Sequence, residues 1–298
     1  MAVVAEDLKI EEAPSATPRD YAALILGNRR LMLGLVIFVV ILGAVLVGAF
    51  TLDASLRRSG SVPRKLPPGV GGVLGTTSVG QSVAAQMTEA VPNSILVGLI
   101  AATLGTVIGA TLGFISGYFG GWLDAVLRVL IDVFLAVPTL LFLVLIAALV
   151  RGVSVWQMAL IIGLFAWSWP ARAIRAQVLS LKTRPFVDVA RISGMSGLEI
   201  ILRELMPQML PWMGANFVNA FIVAILAEAG LSILGLGPQR EMTLGMMVYW
   251  SLTYGAILQN LWWWWLTPVL TLMILFLALY LIHLGLDEVS NPRLRSHA

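Results

Sequence analysis

The residues of this chain able to do chemistry are few and far apart. Glu228 is the only charge between Glu204 and Arg240. Arg128 and Asp132 stand four apart, a spacing that lets them pair on one helix face. Ionised groups inside apolar segments are costly and tend to serve a purpose. For Arg128 and Asp132 the expectation is a pairing, a gate contact or a proton relay; for Glu228 it is subunit or segment packing, or a solute contact. The densest polar stretch is a basic island from Arg172 to Pro207, with six cations: Arg172, Arg175, Lys182, Arg184, Arg191 and Arg203. Catalytic constellations are missing. None of the three lysines, Lys9, Lys65 and Lys182, follows a glycine, so there is no phosphate-cradling Gly-x4-Gly-Lys loop. There is no Gly-x-Ser-x-Gly elbow and no His-Glu-x-x-His zinc motif, and the histidines are His283 and His297 alone. The absence of cysteine excludes disulfides and thiolate–metal sites. These features describe a conduit or scaffold without catalytic or metal residues, whose energy comes from a partner or an ion gradient.

The elements that must position these residues are apolar. Of the 298 residues 59% are hydrophobic and 12% charged, against about 25% charged in soluble domains. The apolar residues form runs near the roughly 20 needed for a spanning helix. Six spans are expected: Leu31–Phe50, Val91–Phe119, Ala125–Val150, Trp156–Val178, Leu210–Leu231 and Trp262–Leu286. The fold class is therefore all-α and polytopic. Loop cations set orientation. With the N-terminus inside, thirteen Lys and Arg fall inside and six outside, so both termini are expected in the cytoplasm. The polar start lacks a leader-like apolar core and reads as a cytoplasmic tail, residues 1–30. The first span, 31–50, precedes an outer loop, 51–90. A core of five spans, 91–288, holds a cytoplasmic loop, 180–208, and a glycine-rich outer scoop, 230–260. A short cytoplasmic tail, 289–298, ends the chain.

Within these spans, Ala101, Gly105, Gly109, Gly113 and Gly117 recur every four residues, a stripe that admits close helix packing or lines a pore. Gly117 to Gly121 reads as a tight turn, and Pro138 bends the third span. Gly230, Gly235, Gly237 and Gly245, with Pro238, suit a re-entrant segment buried in protein. Trp262 to Trp265 reads as an interface belt, with a stacking surface as the alternative.

The island resembles the signature loop of permease subunits in bacterial ABC importers, Glu-Ala-Ala-x3-Gly, nine residues, then Ile-x-Leu-Pro. Asp188, Val189, Ala190 and Gly194 stand at the first part, and Glu204, Met206 and Pro207 at the second. Leu74-Gly-Thr76 with Gly80, Ser116 to Gly121, Asp132 with Ala136 and Pro138, and Ala227 to Gly237 are similar to the oligopeptide and dipeptide permeases of the C type. The likeness spans roughly residues 30 to 292, in family order. It departs at Thr77, Gln81 and Ser82, where the family has acidic and basic residues. The resemblance implies the type I importer permease fold with six transmembrane helices. It implies a sister permease completing one pore, two cytoplasmic ATPase subunits that hold ATP and Mg2+, and an extracytoplasmic solute-binding protein. This chain itself needs no cofactor and no nucleic acid, and its setting is the bilayer of a bacterial or archaeal cytoplasmic membrane. Di- or oligopeptides are the implied solutes, with oligosaccharides or another small solute as the alternative. The loop 185–207 is implied to be the coupling helix: Asp188, Arg191 and Glu199 for charged contacts with an ATPase cleft, Met195 and Ile200 as an apolar plug, Ala190 and Pro207 as motif positions, Gly194 for the turn. Two other classes stay open on the residues: an ion-coupled carrier using Asp132 and Glu228, and a scaffold or receptor without transport.

Overall fold

In hydrocarbon a backbone finds no water, so apolar runs of this length close their hydrogen bonds internally as helices. The computed structural model describes residues 26–150 and 152–290. Of the expected tails 1–30 and 289–298, residues 1–25 and 291–298, with four cations and His297, lie outside the described residues, as does Arg151. Apart from an isolated bridge between Thr76 and Ser82, regular structure in the described residues is helical. The principal helices are α1 (Arg29–Thr51), α2 (Val83–Phe119), α3 (Gly121–Ala136), α4 (Thr139–Leu149), α5 (Val155–Phe165), α6 (Ser168–Leu181), α7 (Pro185–Ile192), α8 (Gly197–Ile233), α9 (Leu244–Thr253) and α10 (Trp262–Ser290).

Among the described residues four helices, α1, α2, α8 and α10, are long and apolar enough to cross a membrane, and a fifth span results if α3 and α4 count as one, bent by 75°. The expectation of six uniform spans is corrected in two places. Ala125–Val150 is broken at Pro138, because the residue before a proline is driven to extended backbone, here Val137 at φ −78°, ψ 128°. Trp156–Val178 divides into the 11-residue α5 and the polar α6, which carries Arg172 and Arg175. The break falls at Ala166 and Trp167, because Pro170 has no N–H to give to the carbonyl four residues back. Boundaries move too. The loop expected to reach residue 90 ends at Ser82, whose hydroxyl accepts from the Ala85 amide and caps α2. The last span continues to Ser290. Residues Ile200–Leu205 of α8 form a π-turn just before Pro207.

α2 packs against α5, α6 and α8, and its glycine stripe lies on the α5–α6 side. A Cβ on Gly105 would meet Ala166 at 2.8 Å, one on Gly109 the Trp167 carbonyl oxygen at 2.6 Å, one on Gly113 the Ala171 carbonyl oxygen at 2.8 Å, and one on Gly117 Val178 at 2.8 Å. Gly163 of α5 faces Ala101 in the same seam. A second such seam joins α1 to α10 through Gly34 and Gly285. At its end Asn28 caps α1 and donates to Glu288 at 2.8 Å, and Arg30 pairs with the same carboxylate.

At the opposite end of the molecule a buried carboxylate gathers three elements. Glu228 of α8 is 0% exposed. It accepts from Ser94 of α2 at 3.1 Å, from Ser232 one turn on at 2.6 Å, and from Thr243 at 2.7 Å. Thr243 is itself the N-cap of α9, and Ser94 accepts from the Leu244 amide at 3.0 Å. Gly245 lets α9 approach α8: a Cβ there would lie 2.8 Å from Ala229 Cα. The loop before α2 is tied in by Trp263, whose indole donates to the Thr76 carbonyl at 3.1 Å, and Trp264 stacks on Tyr254 with centroids 6.0 Å apart. A four-residue tryptophan belt is therefore corrected to two buried structural rings, Trp263 and Trp264, beside a half-exposed Trp262. The Thr77 hydroxyl accepts from the Gln81 amide and Gln81 Nε2 donates to the Arg57 carbonyl, which spends these two residues that depart from the family on the loop itself.

Gly109→Val should cost about 1–3 kcal/mol through overpacking, read as a lower unfolding temperature in detergent. Gly43→Val, with nothing within 4 Å of its Cβ, should leave that temperature unchanged; equal effects would contradict the seam. Glu228→Ala should cost about 1–3 kcal/mol for each donor left unsatisfied, while Glu228→Gln, which keeps an acceptor oxygen, retains most of the stability. An alanine variant as stable as the parent would refute the cage.

Candidate functional site

The island cations divide by role. Arg175 makes two parallel bonds to Asp124 in the first turn of α3, at 2.6 and 2.7 Å, and Ser116 of α2 donates to the same carboxylate. Such bidentate pairs fix geometry as well as charge. Lys182 donates to the Gly117 carbonyl at 2.8 Å, satisfying the exposed end of α2. Asp124 was missed in the sequence because its partner lies 51 residues away on another helix.

Asp132 pairs with Arg172 across α3 and α6, while Arg128, its expected partner, stands 3.9 Å away. The local i,i+4 pair is thus the weaker of two claims on Asp132. Arg128, Ile131, Asp132, Arg172 and Arg175 line an open cavity of about 550 Å3. Two guanidinium groups share the Asp132 carboxylate, leaving this cavity with excess positive charge.

One helical turn further along the same helices lies a different cavity, of about 280 Å3, between α3–α4, α5–α6 and α8. Leu135, Leu143, Ile162, Phe165, Trp169, Val223 and Ala224 supply apolar wall, and Thr139, Ser168 and Asn219 are its polar groups. It contains no charged side chain. Glu228 does not line it; the expectation of Glu228 as a pathway group meets a carboxylate enclosed by three hydroxyls.

Beyond α6 the island folds into the short helix α7 and a turn. Pro185 starts α7, at a position where its missing N–H costs nothing. The helix ends on Gly194 at φ +82°, with the Met195 amide bonded to the Ala190 carbonyl and the Gly194 amide to that of Arg191. That is a Schellman close, which needs a residue at ease in the left-handed region. Val187 and Ala190 are buried, while Val189 and Ile192 are exposed, Ile192 by 88%. Asp188 and Arg191 pair at 3.2 Å on the surface, and Arg191 lies over the Tyr118 ring at the end of α2. Glu199 accepts from the Ser196 amide and hydroxyl in a capping box. Of the plug expected from Met195 and Ile200, Ile200 is corrected: it is 0% exposed in the cluster beneath α7, while Met195 is half-buried against that cluster. The outward apolar residues are Val189 and Ile192, which a search for motif letters passes over and a helical wheel of α7 reveals. Pro207 is exposed at the start of the regular part of α8. Among the described residues no group of three or more His, Cys, Asp or Glu is placed to hold a metal ion.

Residues 109–296 match the family described as binding-protein-dependent transport system inner membrane component. The oligopeptide transport system permease OppC of Mycobacterium tuberculosis is 32% identical over 232 residues, 77% of this chain and 79% of that protein. A Brucella abortus protein named for a peptide transport system permease is 30% identical over 271 residues, 90% of this chain and 89% of its own length. In fold, the chain is similar to the inward-facing MetNI methionine ABC transporter, with a TM-score of 0.51 at 20% identity, covering 66% of this chain and 91% of that one. These matches place the chain, with its membrane-long helices, in the family of binding-protein-dependent ABC importer inner-membrane components.

Proposed function

We propose that this chain forms half of the translocation pathway of an ATP-driven importer for di- or oligopeptides and couples to its ATPases through α7. One observation carries the coupling part. α7 presents exposed Val189 and Ile192 beside Asp188 and Arg191, at the cation-rich end of the molecule. An apolar residue as exposed as Ile192, ringed by charge, suits a protein partner better than water or lipid. The peptide part is supported by the names of the relatives. The partners on this reading are a sister permease, two ATPase subunits holding ATP and Mg2+, and an extracytoplasmic binding protein.

The topology that serves this function has six crossings, α5 and α6 together making one, with both termini in the cytoplasm of a bacterium or archaeon. The cation-rich end, with α7, then faces the ATPases. ATP-driven closure of the ATPase pair pulls on α7, and rigid-body rocking of the spans alternates access. An ion-coupled carrier is disfavoured by Glu228, closed off by hydroxyls, and Asp132, neutralised by arginine. An oligosaccharide platform is disfavoured because Trp263 and Trp264 are spent internally.

Replacing Ile192 with Glu should reduce co-purification of the ATPase subunits and solute-stimulated ATP hydrolysis in proteoliposomes at least tenfold. Gly194→Val, strained at φ +82° by about 1–3 kcal/mol, should leave the subunits assembled but lower stimulated hydrolysis. Full stimulation in both variants would remove α7 from the coupling path.

A further inference from the structure

The 280 Å3 cavity between α3–α4, α5–α6 and α8 has a property that helix packing alone does not explain: its polar groups are unspent. Ser168 is only 5% exposed, yet its hydroxyl has no hydrogen-bond partner among the described residues. The amide of Asn219, half-buried at the cavity wall, has none there either, whereas the buried Asn216, one turn back, donates to the Trp212 carbonyl. Buried polar groups in apolar surroundings are normally paired.

Two helices also begin at this cavity. Thr139 is the first residue of α4 and Ser168 the first of α6, and both line it. Neither helix has a side-chain N-cap: α4 follows Pro138, and α6 follows Trp167. The first amides of a helix lack partners within it, and its N-terminus attracts negative charge. Glu228, Asp124 and the other carboxylates named above all have partners elsewhere, so this chain supplies the cavity with donors and no anion. Mid-membrane sites formed where helices are broken present helix N-termini to anionic solute groups in other transporters.

We propose that Ser168 and Asn219, with the uncapped starts of α4 and α6, form a solute-contact subsite that accepts an acceptor oxygen of the passing solute, a carboxylate or a peptide carbonyl. The wall around them, with Trp169 half-exposed, takes a neighbouring apolar side chain. One helical turn along the same helices, Arg128 and Arg172 line the larger cavity, so an anionic end leaving the subsite moves towards cations. This inference rests on the peptide-permease reading and assigns it a contact.

The test uses the complete complex in proteoliposomes, with tri-leucine bearing a free carboxylate, tri-leucine with an amidated C-terminus, and tri-lysine. Asn219→Leu combined with Ser168→Ala should raise the half-saturating concentration of both tri-leucine forms about tenfold. Asn219→Asp should depress uptake of the free-carboxylate form more than that of the amidated form, and shift preference towards tri-lysine. A carboxylate contact predicts a wide gap between free and amidated peptides in the parent protein; a carbonyl contact predicts little gap, with both forms weakened equally by the double variant. Co-purification of the ATPases reports assembly separately. Variants that assemble and transport all three peptides as the parent does would overturn the subsite. A parent complex whose hydrolysis responds to none of the three would overturn the peptide reading beneath it.

Discussion

A Cβ at Gly109 would lie 2.6 Å from the Trp167 carbonyl oxygen, so α2 and α6 can lie as close as they do only where a side chain is missing. The same holds at Gly105, Gly113 and Gly117, over three turns. Lipid gives apolar side chains no reason to leave it for one another, so helix association there relies on close packing. This contact runs along the α5–α6 break and fixes the start of α6. From that start, Ser168 and Trp169 point the helix along one cavity, and Arg172 and Arg175 line the next. The cavities, the Asp124–Arg175 pair and the Lys182 cap on α2 all inherit their positions from a row of hydrogens.

Buried carboxylates inside this framework each gather donors from several segments. Glu228 gathers Ser94, Ser232 and Thr243, and through Thr243 the start of α9. Asp124 gathers Arg175 and Ser116. Each carboxylate joins three chain segments, so the two ends of the bundle are locked by different anions. The cavity of Ser168 and Asn219 has no such carboxylate, and its donors stay unspent between apolar walls. A structural carboxylate there would make the site rigid and closed; its absence leaves the donors to a visitor.

Much of this was legible in the sequence because it depends on local pattern. The four-residue glycine repeat, the bend at Pro138 and the turn at Gly194 each follow from one residue's steric limits, and their consequences lie within a few residues. Span ends were less legible. Val83 rather than Val91 begins α2 because Ser82 caps it, and a cap competes with the polar reading of the preceding loop. The sixth uniform span failed since Pro170 and two arginines interrupt an otherwise apolar run. Pairings were the least legible. Sequence spacing offered Arg128 to Asp132, but the closer partner, Arg172, comes from a helix 40 residues away. The apolar plug was misassigned for a similar reason: which face of α7 is covered depends on Val187, Ala190 and Ile200 meeting the cluster beneath, which no motif encodes.

On the proposed function, these parts form a short mechanical train. α7 is bound to the end of α2 by Arg191 over Tyr118, and the start of α8 packs there too at Gly197, where a Cβ would meet the Tyr118 ring at 2.9 Å. α2 is bound to α6 by the glycine seam, and α6 to α3 by Asp124–Arg175 and Asp132–Arg172. A 14-residue helix spans about 21 Å at 1.5 Å per residue, so α6 connects the Ser168 cavity to the start of the coupling loop in one rigid piece. A force on α7 therefore reaches the cavity without passing through a flexible joint on that side. The joints are on the other side: the 75° bend between α3 and α4, and the break before α6. Both hinges open onto the cavity of unspent donors, so rocking α6 changes the distance between the two uncapped helix starts, and that distance sets how firmly a solute oxygen is held.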